Sequence, residues 1–197
     1  MDTRQANGVV ISLIMTLIAM APRCMAASTL RLTLVIYDRA HVGPEMVAAG
    51  ENTASGIFGH ADVQLNWLEG FAYAAERQHA VVPAPEDPAT LVVTLQPASE
   101  AARFGVRSVC GGISLGSNAI VFVRRFDATW LGYIMAHEIG HILLGSNAHA
   151  IVGIMCATLL PDDWEKAAQG TLGFTHSQNQ QIRTWIAQRS GRGRPRL

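Results

Sequence analysis

Polar and apolar residues alternate along several short segments of the chain, and a period of two is typical of half-buried β-strands. This alternation predicts strands at residues 29–37 (TLRLTLVIY) and 61–68 (ADVQLNWL). Residues 90–95 (TLVVTL) and 119–123 (AIVFV) are apolar almost throughout, which predicts two more strands, the first of them central in its sheet. Glycines punctuate residues 103–117, which predicts a short edge strand with its turns.

Two other segments have apolar residues at helical spacing or a helix start signal. Residues 44–58 carry apolar positions three and four apart, which predicts an amphipathic helix that ends near Gly59. Thr175 and Gln178 form a T-x-x-Q capping box, which predicts a helix that continues to about Gln188.

A third helix is expected to begin at Asp127 or Thr129, either of which can cap it, and to stop at Gly145. The elements therefore follow the order strand, helix, strand, several strands, then helices. This order predicts an α+β fold, a mixed twisted sheet with one packed helix followed by a helical part. The chain has 197 residues, 49% of them hydrophobic, which suits one domain, at residues 28–188.

Both ends of the chain are expected to lie outside this domain. An apolar run at residues 9–21 follows Arg4 and is followed by small residues, which predicts a signal peptide at residues 1–26 and a secreted or periplasmic protein. A membrane-tethered form is the alternative, but a run of thirteen residues is shorter than the roughly 20 that span a bilayer. Residues 189–197 have a basic, polar composition that predicts a disordered tail.

Net charge indicates which partners to expect, and cysteine content indicates whether a disulfide can form. The formal net charge is zero, so we expect no nucleic-acid partner, and after signal cleavage no membrane partner. Removal of the signal peptide leaves Cys110 and Cys156, which in an oxidising compartment can form a disulfide or remain as two buried thiols.

The segment HEIGH, residues 137–141, contains the candidate chemistry. His137 and His141 lie four residues apart, so on a helix both rings leave the same face and can bind one Zn²⁺. Glu138 is offset around the helix, where it can take a proton from the zinc-bound water and pass it to the leaving amine. The surrounding helix is apolar, and burying these ionisable groups without a metal would be costly.

The longer segment AHEIGHILLGSNAHAIVGIM, residues 136–155, resembles the metzincin clan of zinc peptidases. In that clan the pattern H-E-x-x-H-x-x-G-x-x-H precedes a methionine-containing turn. The resemblance implies that Gly145 ends the helix, that His149 is the third zinc ligand and that Met155 forms an apolar floor under the metal. It also implies a metzincin-like arrangement of mixed sheet, packed helix, active-site helix, Met-turn and C-terminal helix.

The spacing departs from the clan pattern at the third ligand. Gly145 comes one residue late and His149 two residues late, and Asn147 stands where the clan has its third histidine. The short linker between Gly145 and His149 has to absorb a rotation of about 100° that one extra helical residue introduces. Glu165 is the alternative third ligand, since a downstream glutamate completes the site in the gluzincin clan.

These features predict a secreted zinc metallopeptidase, a monomer that acts on a peptide or protein substrate with one catalytic zinc ion. The glycine-rich edge strand at residues 111–115 suits substrate binding by strand addition. The alternative from another class is a non-catalytic zinc-binding or interaction domain on the same scaffold. Glu138 argues against that alternative, because a purely structural site has no use for a base.

Overall fold

A five-stranded β-sheet forms the centre of the protein. The computed structural model describes residues 29–70, 90–106, 111–123, 127–158 and 160–190. Its strands are β1 (Leu30–Asp38), β2 (Val63–Glu69), β3 (Thr90–Pro97), β4 (Gly111–Leu115) and β5 (Asn118–Val123). They lie in the order β2-β1-β3-β5-β4, and β4 is the antiparallel member of an otherwise parallel sheet.

Burial along the strands follows the alternation in the sequence. Leu32, Leu34 and Ile36 of β1 are buried in the core, while the residues between them are only half-buried. In β3 every residue except the first and last is buried, so both faces of this strand are covered. A strand covered on both faces needs a continuous apolar run, and the predicted central position of β3 is confirmed. The predicted edge position of β4 is also confirmed.

Four α-helices accompany the sheet in the described part of the chain. They are α1 (Pro44–Gly59), α2 (Ala128–Leu144), α3 (Pro161–Ala168) and α4 (His176–Ser190). Helices α1 and α2 pack against each other and share a core with one face of the sheet. Helix α2 also contacts β4, β5, α3 and α4, so it connects the sheet with the two helices that follow it in the chain.

Helix α4 begins as the sequence predicts. The Thr175 N–H donates to Gln178 Oε1 at 2.9 Å, and the Gln178 N–H donates to Thr175 Oγ1 at 3.4 Å, which is the reciprocal pairing of a capping box. Ile182 and Ile186 then bury the inner face of α4 against the core. The helix continues to Ser190, two residues into the segment predicted as a tail.

The predicted α+β class, with a mixed sheet and a packed helix, is confirmed. A 3₁₀ helix at Ala98–Phe104 was not predicted, because it is too short to show a period in the sequence. The signal peptide predicted at residues 1–26 and the rest of the tail, residues 191–197, lie outside the described residues. Among the described residues, no helix has both the length and the hydropathy needed to cross a membrane.

Candidate metal centre

Helix α2 carries two of the predicted ligands between well-defined ends. Asp127 caps its start by accepting a hydrogen bond from the Trp130 N–H at 2.8 Å. The helix ends at Leu144, and Gly145 follows with φ 105° and ψ 154°. Residues with a side chain rarely adopt this φ, so glycine allows the chain to turn away from the helix here. The start at Asp127 and the stop at Gly145 are as predicted.

Three histidine side chains converge beside the end of α2. The Nε2 atoms of His137 and His141 lie 3.0 Å apart, and the Nε2 atom of His149 lies 3.1 Å from that of His141. The ligand atoms of all three residues lie within 4.8 Å of one another. Among the residues that the structure describes, these three histidines are the one group of His, Cys, Asp or Glu close enough to share a metal ion.

The hydrogen bonds of the rings leave their Nε2 atoms free to bind a cation. His137 Nδ1 lies 2.7 Å from the Ile154 carbonyl and His141 Nδ1 lies 3.5 Å from the Gly145 carbonyl. A carbonyl only accepts, so His137 Nδ1 carries the hydrogen and its Nε2 presents a lone pair, and the longer His141 contact favours the same tautomer. Burial lowers the pKa of His137 to about 4, which keeps this ring neutral at pH 7.

The spacing of these nitrogens fits a zinc ion. Two lone pairs 3.0 Å apart repel each other unless a proton or a cation lies between them. In a tetrahedral zinc site with Zn–N bonds of about 2.0–2.1 Å, the ligand nitrogens are about 3.3 Å apart. The observed separations of 3.0 and 3.1 Å are close to that value.

The loop after α2 brings His149 to the cluster despite its late position in the sequence. The Ala148 N–H donates to the Gly145 carbonyl at 3.1 Å, which closes a turn immediately after the helix. The Ala150 N–H then donates to the Met155 carbonyl at 2.9 Å, so the chain on either side of His149 is fixed. His149 itself is exposed, whereas His141 is buried and His137 is half-buried.

The segment Gly153-Ile154-Met155 lies directly beneath α2. Met155 is fully buried, and a Cβ atom added to Gly140 would lie 2.6 Å from its Sδ atom. Gly140 therefore leaves the space in which the methionine sulfur packs against the helix. The Ile154 carbonyl orients the His137 ring, as described above. The sequence did not predict this contact, because every residue type has a backbone carbonyl.

Glu138 lies on the sheet side of the histidine cluster, against β4. It is 4% exposed, and its Oε2 atom lies 3.2 Å from the Ser114 hydroxyl. Burial raises the pKa of Glu138 to about 7, while hydrogen bonds from Ser114 and from the Gly112 backbone oppose that rise. A carboxyl group with such a pKa near neutrality, next to a candidate metal site, suits proton transfer.

An open cleft passes over the cluster and has two compartments. The first encloses about 310 Å³ and has an aromatic and apolar wall formed by Trp130, Tyr133, Ile134, Ile154 and Trp164. The second encloses about 340 Å³ and lies between β4 and His149. Glu138 and His137 line both compartments, so a ligand that spans the cleft passes over the candidate base. The aromatic wall was also missed from the sequence, since Trp130 and Trp164 are 34 positions apart.

Other candidate residues lie elsewhere. Glu165 is exposed on α3 and does not belong to the histidine cluster. Asp162 and Asp163 occupy the first turn of α3, and Asp163 Oδ2 accepts from the Leu160 N–H at 3.0 Å. Cys156 is buried, and Cys110 lies outside the described residues, so a disulfide between them stays a prediction.

Comparisons with known proteins give distant structural similarities only. No protein-family model and no curated protein matches the chain. The chain is similar to archaemetzincin from Methanopyrus kandleri, with 15% identity over 82% of this chain and 98% of that one and a TM-score of 0.45. It is also similar to myroilysin, with 14% identity over 75% and 70% of the two chains and a TM-score of 0.35. Because both similarities are distant, the function has to be inferred from the site.

Proposed function

We propose that the protein is a zinc-dependent metallopeptidase in which His137, His141 and His149 bind one catalytic zinc ion. The observation that carries this proposal is the convergence of three imidazole rings beside a buried glutamate in an open cleft. Three protein ligands with one open position are typical of catalytic zinc, whereas structural zinc is usually enclosed by four ligands. Imidazole donors without thiolates are consistent with zinc among the common divalent metals.

A zinc ion held there would polarise the scissile carbonyl and make a water molecule more acidic. The protein supplies the base for that water. Glu138 is fixed next to the histidine cluster and faces both compartments of the cleft, so its carboxylate can accept the proton of the attacking water. The same carboxyl group can then donate that proton to the leaving amine, which returns the base to its ionised form.

Substrate binding is assigned to the two walls of the cleft. The edge strand β4 offers its outer backbone to an extended peptide, which would add to the sheet as a further strand. The aromatic compartment beside His137 suits a large apolar side chain next to the cleaved bond. We therefore infer that peptides with such a side chain are better substrates than peptides with a small or charged one.

The place of action belongs to the proposal as well. An apolar run at residues 9–21 motivates export with removal of about 26 residues. Mass spectrometry of the protein recovered outside the cytoplasm tests it, and a mass that includes residues 1–26 would favour the tethered form instead.

The test of function combines metal content with peptidase activity for the mature protein and three variants. We expect Glu138→Ala to retain zinc and to lose activity, because the ligands remain and the base is removed. We expect His149→Ala to lose zinc, and Glu165→Ala to match the wild type in both measurements. Zinc loss in Glu165→Ala with zinc retained in His149→Ala would move the third ligand to α3. Full activity in Glu138→Ala would contradict the mechanism, and zinc binding without turnover of any peptide would favour a non-catalytic zinc-binding domain.

A further inference from the structure

Ser114, on the edge strand, contacts the candidate base at two points. Its hydroxyl oxygen lies 2.8 Å from the Glu138 backbone carbonyl and 3.2 Å from Glu138 Oε2. The two residues are 24 positions apart and come from different elements, β4 and α2. The serine therefore joins the sheet to the residue of the helix that the proposed mechanism uses as its base.

The backbone of β4 is shaped to receive the glutamate side chain. A Cβ atom added to Gly112 would lie 2.6 Å from Glu138 Cγ and 2.8 Å from Glu138 Cδ, and would also overlap the Ile120 carbonyl. Gly112 and Ser114 are two residues apart, so they present the same face of the strand. Because Gly112 has no side chain, the Glu138 side chain can pack directly against the backbone of β4. Ser114 then contacts the carboxylate of that side chain.

A hydroxyl in this position limits how the carboxylate can turn. Glutamate has three rotatable side-chain bonds, and its carboxylate only accepts hydrogen bonds when ionised. The single hydrogen of the Ser114 hydroxyl is shared between the Glu138 carbonyl oxygen at 2.8 Å and Oε2 at 3.2 Å, and donation to the charged carboxylate is stronger than a hydrogen bond between neutral groups. Loss of this contact would leave the hydrogen bond from the Gly112 backbone, about which the carboxylate could rotate out of the orientation needed for proton transfer.

We propose that Ser114 is a positioning residue that fixes the carboxylate of Glu138 for proton transfer. This inference depends on the proposed peptidase function, since it assigns a role within the same site. A positioning role predicts an effect on the chemical step, whereas a role of β4 in substrate binding alone predicts an effect on KM.

The first experiment compares steady-state kinetics of Ser114→Ala, Ser114→Thr and Ser117→Ala with the wild type, each loaded with zinc. We expect Ser114→Ala to lower kcat by about tenfold, the effect of one hydrogen bond to a charged group, with little change in KM. Ser114→Thr keeps the hydroxyl and is expected to recover most of kcat. Ser117→Ala removes the same group in the turn between β4 and β5 and serves as the matched control. A rise in KM at constant kcat, or an equal fall in Ser117→Ala, would overturn the positioning role.

The second experiment needs no substrate. Urea unfolding of Ser114→Ala, Glu138→Ala and the double variant measures whether the two side chains interact. We expect the double variant to be destabilised by less than the sum of the single variants, because each single change already breaks the contact. Additive effects would overturn the inference even in an active enzyme. Coupling in a protein without any peptidase activity would reject the proposed function and leave Ser114 with a structural contact only.

Discussion

The candidate site has two halves that the chain builds in different ways. Helix α2 supplies His137, Glu138 and His141 from one regular element, whereas the loop at residues 145–155 supplies His149 and the apolar floor. On the helix, the separation of four residues is enough to place two rings together. In the loop, the position of His149 depends on individual backbone hydrogen bonds to Gly145 and Met155. The helical half should therefore be the more preorganised one.

The largest expected effect comes from removing a ligand from each half. His141 lies between the other two rings, and its loss leaves His137 and His149, whose ring centroids are 5.6 Å apart. Loss of His149 leaves the pair on α2 intact. Since zinc binding to protein sites involves on the order of 10 kcal/mol, we expect each alanine variant to lower zinc affinity by about 100-fold or more. We expect the larger decrease for His141→Ala.

Competition with a chelator of known affinity measures both variants. His176→Ala, on the exposed start of α4, serves as the control and should bind zinc as the wild type does. An equal loss in the two ligand variants, or a greater loss in His149→Ala, would show that the loop is as well ordered as the helix.

The contrast between the helix and the loop also explains which features could be predicted from the sequence. The strands, the helices and the ends of α2 follow from apolar periods, from Asp127 as a cap and from Gly145 as a stop, all of which act locally. The meeting of His137 with His141 follows from helical geometry. The parallel pairing of β1 with β2 and β3 depends on long-range packing, and the alternation of each strand contains no information about it.

Other features of the site could not be predicted from local patterns. The contact of Ser114 with Glu138 joins two elements across 24 residues. The Ile154 carbonyl that orients His137 belongs to the backbone, so any residue type at position 154 would provide it. His149 was inferred only from a resemblance whose spacing it does not match. The structure places its ring beside His141, and its role as a ligand stays a proposal.

The next effect concerns the backbone at the junction between helix and loop. Gly145 has φ 105°, and a Cβ atom added there would meet nothing within 4 Å. Gly145→Ala therefore tests conformation without steric overlap, and such strain costs about 1–3 kcal/mol. We expect zinc affinity to fall by about tenfold, because the strain is relieved when the loop that carries His149 shifts.

Gly170→Ala provides the matched control for this substitution. Gly170 has φ 69°, an added Cβ atom there would also meet nothing within 4 Å, and the residue follows α3, outside the histidine cluster. The control should lose stability in urea unfolding and keep wild-type zinc affinity. A similar loss of zinc affinity in both variants would mean that Gly145→Ala acts through a general loss of stability and not through the loop that carries His149.

A smaller effect is expected from filling the space between the helix and the floor. Gly140→Ala introduces a Cβ atom that would lie 2.6 Å from Met155 Sδ and 2.9 Å from Phe174 Cε1. Overpacking costs about 1–3 kcal/mol and the gain in helix propensity returns about 1 kcal/mol, so we expect a net loss of about 1 kcal/mol in the free energy of unfolding. Gly56→Ala on α1, where the added atom meets nothing within 4 Å, should instead be stabilising. Equal effects in the two variants would indicate that Met155 moves aside without cost.

The smallest effect is expected at the aromatic compartment, whose wall contains residues of both α2 and α3. Trp130 and Trp164 have ring centroids 4.0 Å apart, one on α2 and the other, about half exposed, on α3. Trp164→Ala should raise KM by about fivefold for a peptide with a phenylalanine at the cleaved bond, because about 1 kcal/mol of apolar contact is lost. The matching alanine peptide should be cleaved as before, and Trp185→Ala on α4 should change neither reaction. A rise in KM that is equal for both peptides would show that Trp164 supports the fold of the cleft and does not select the side chain.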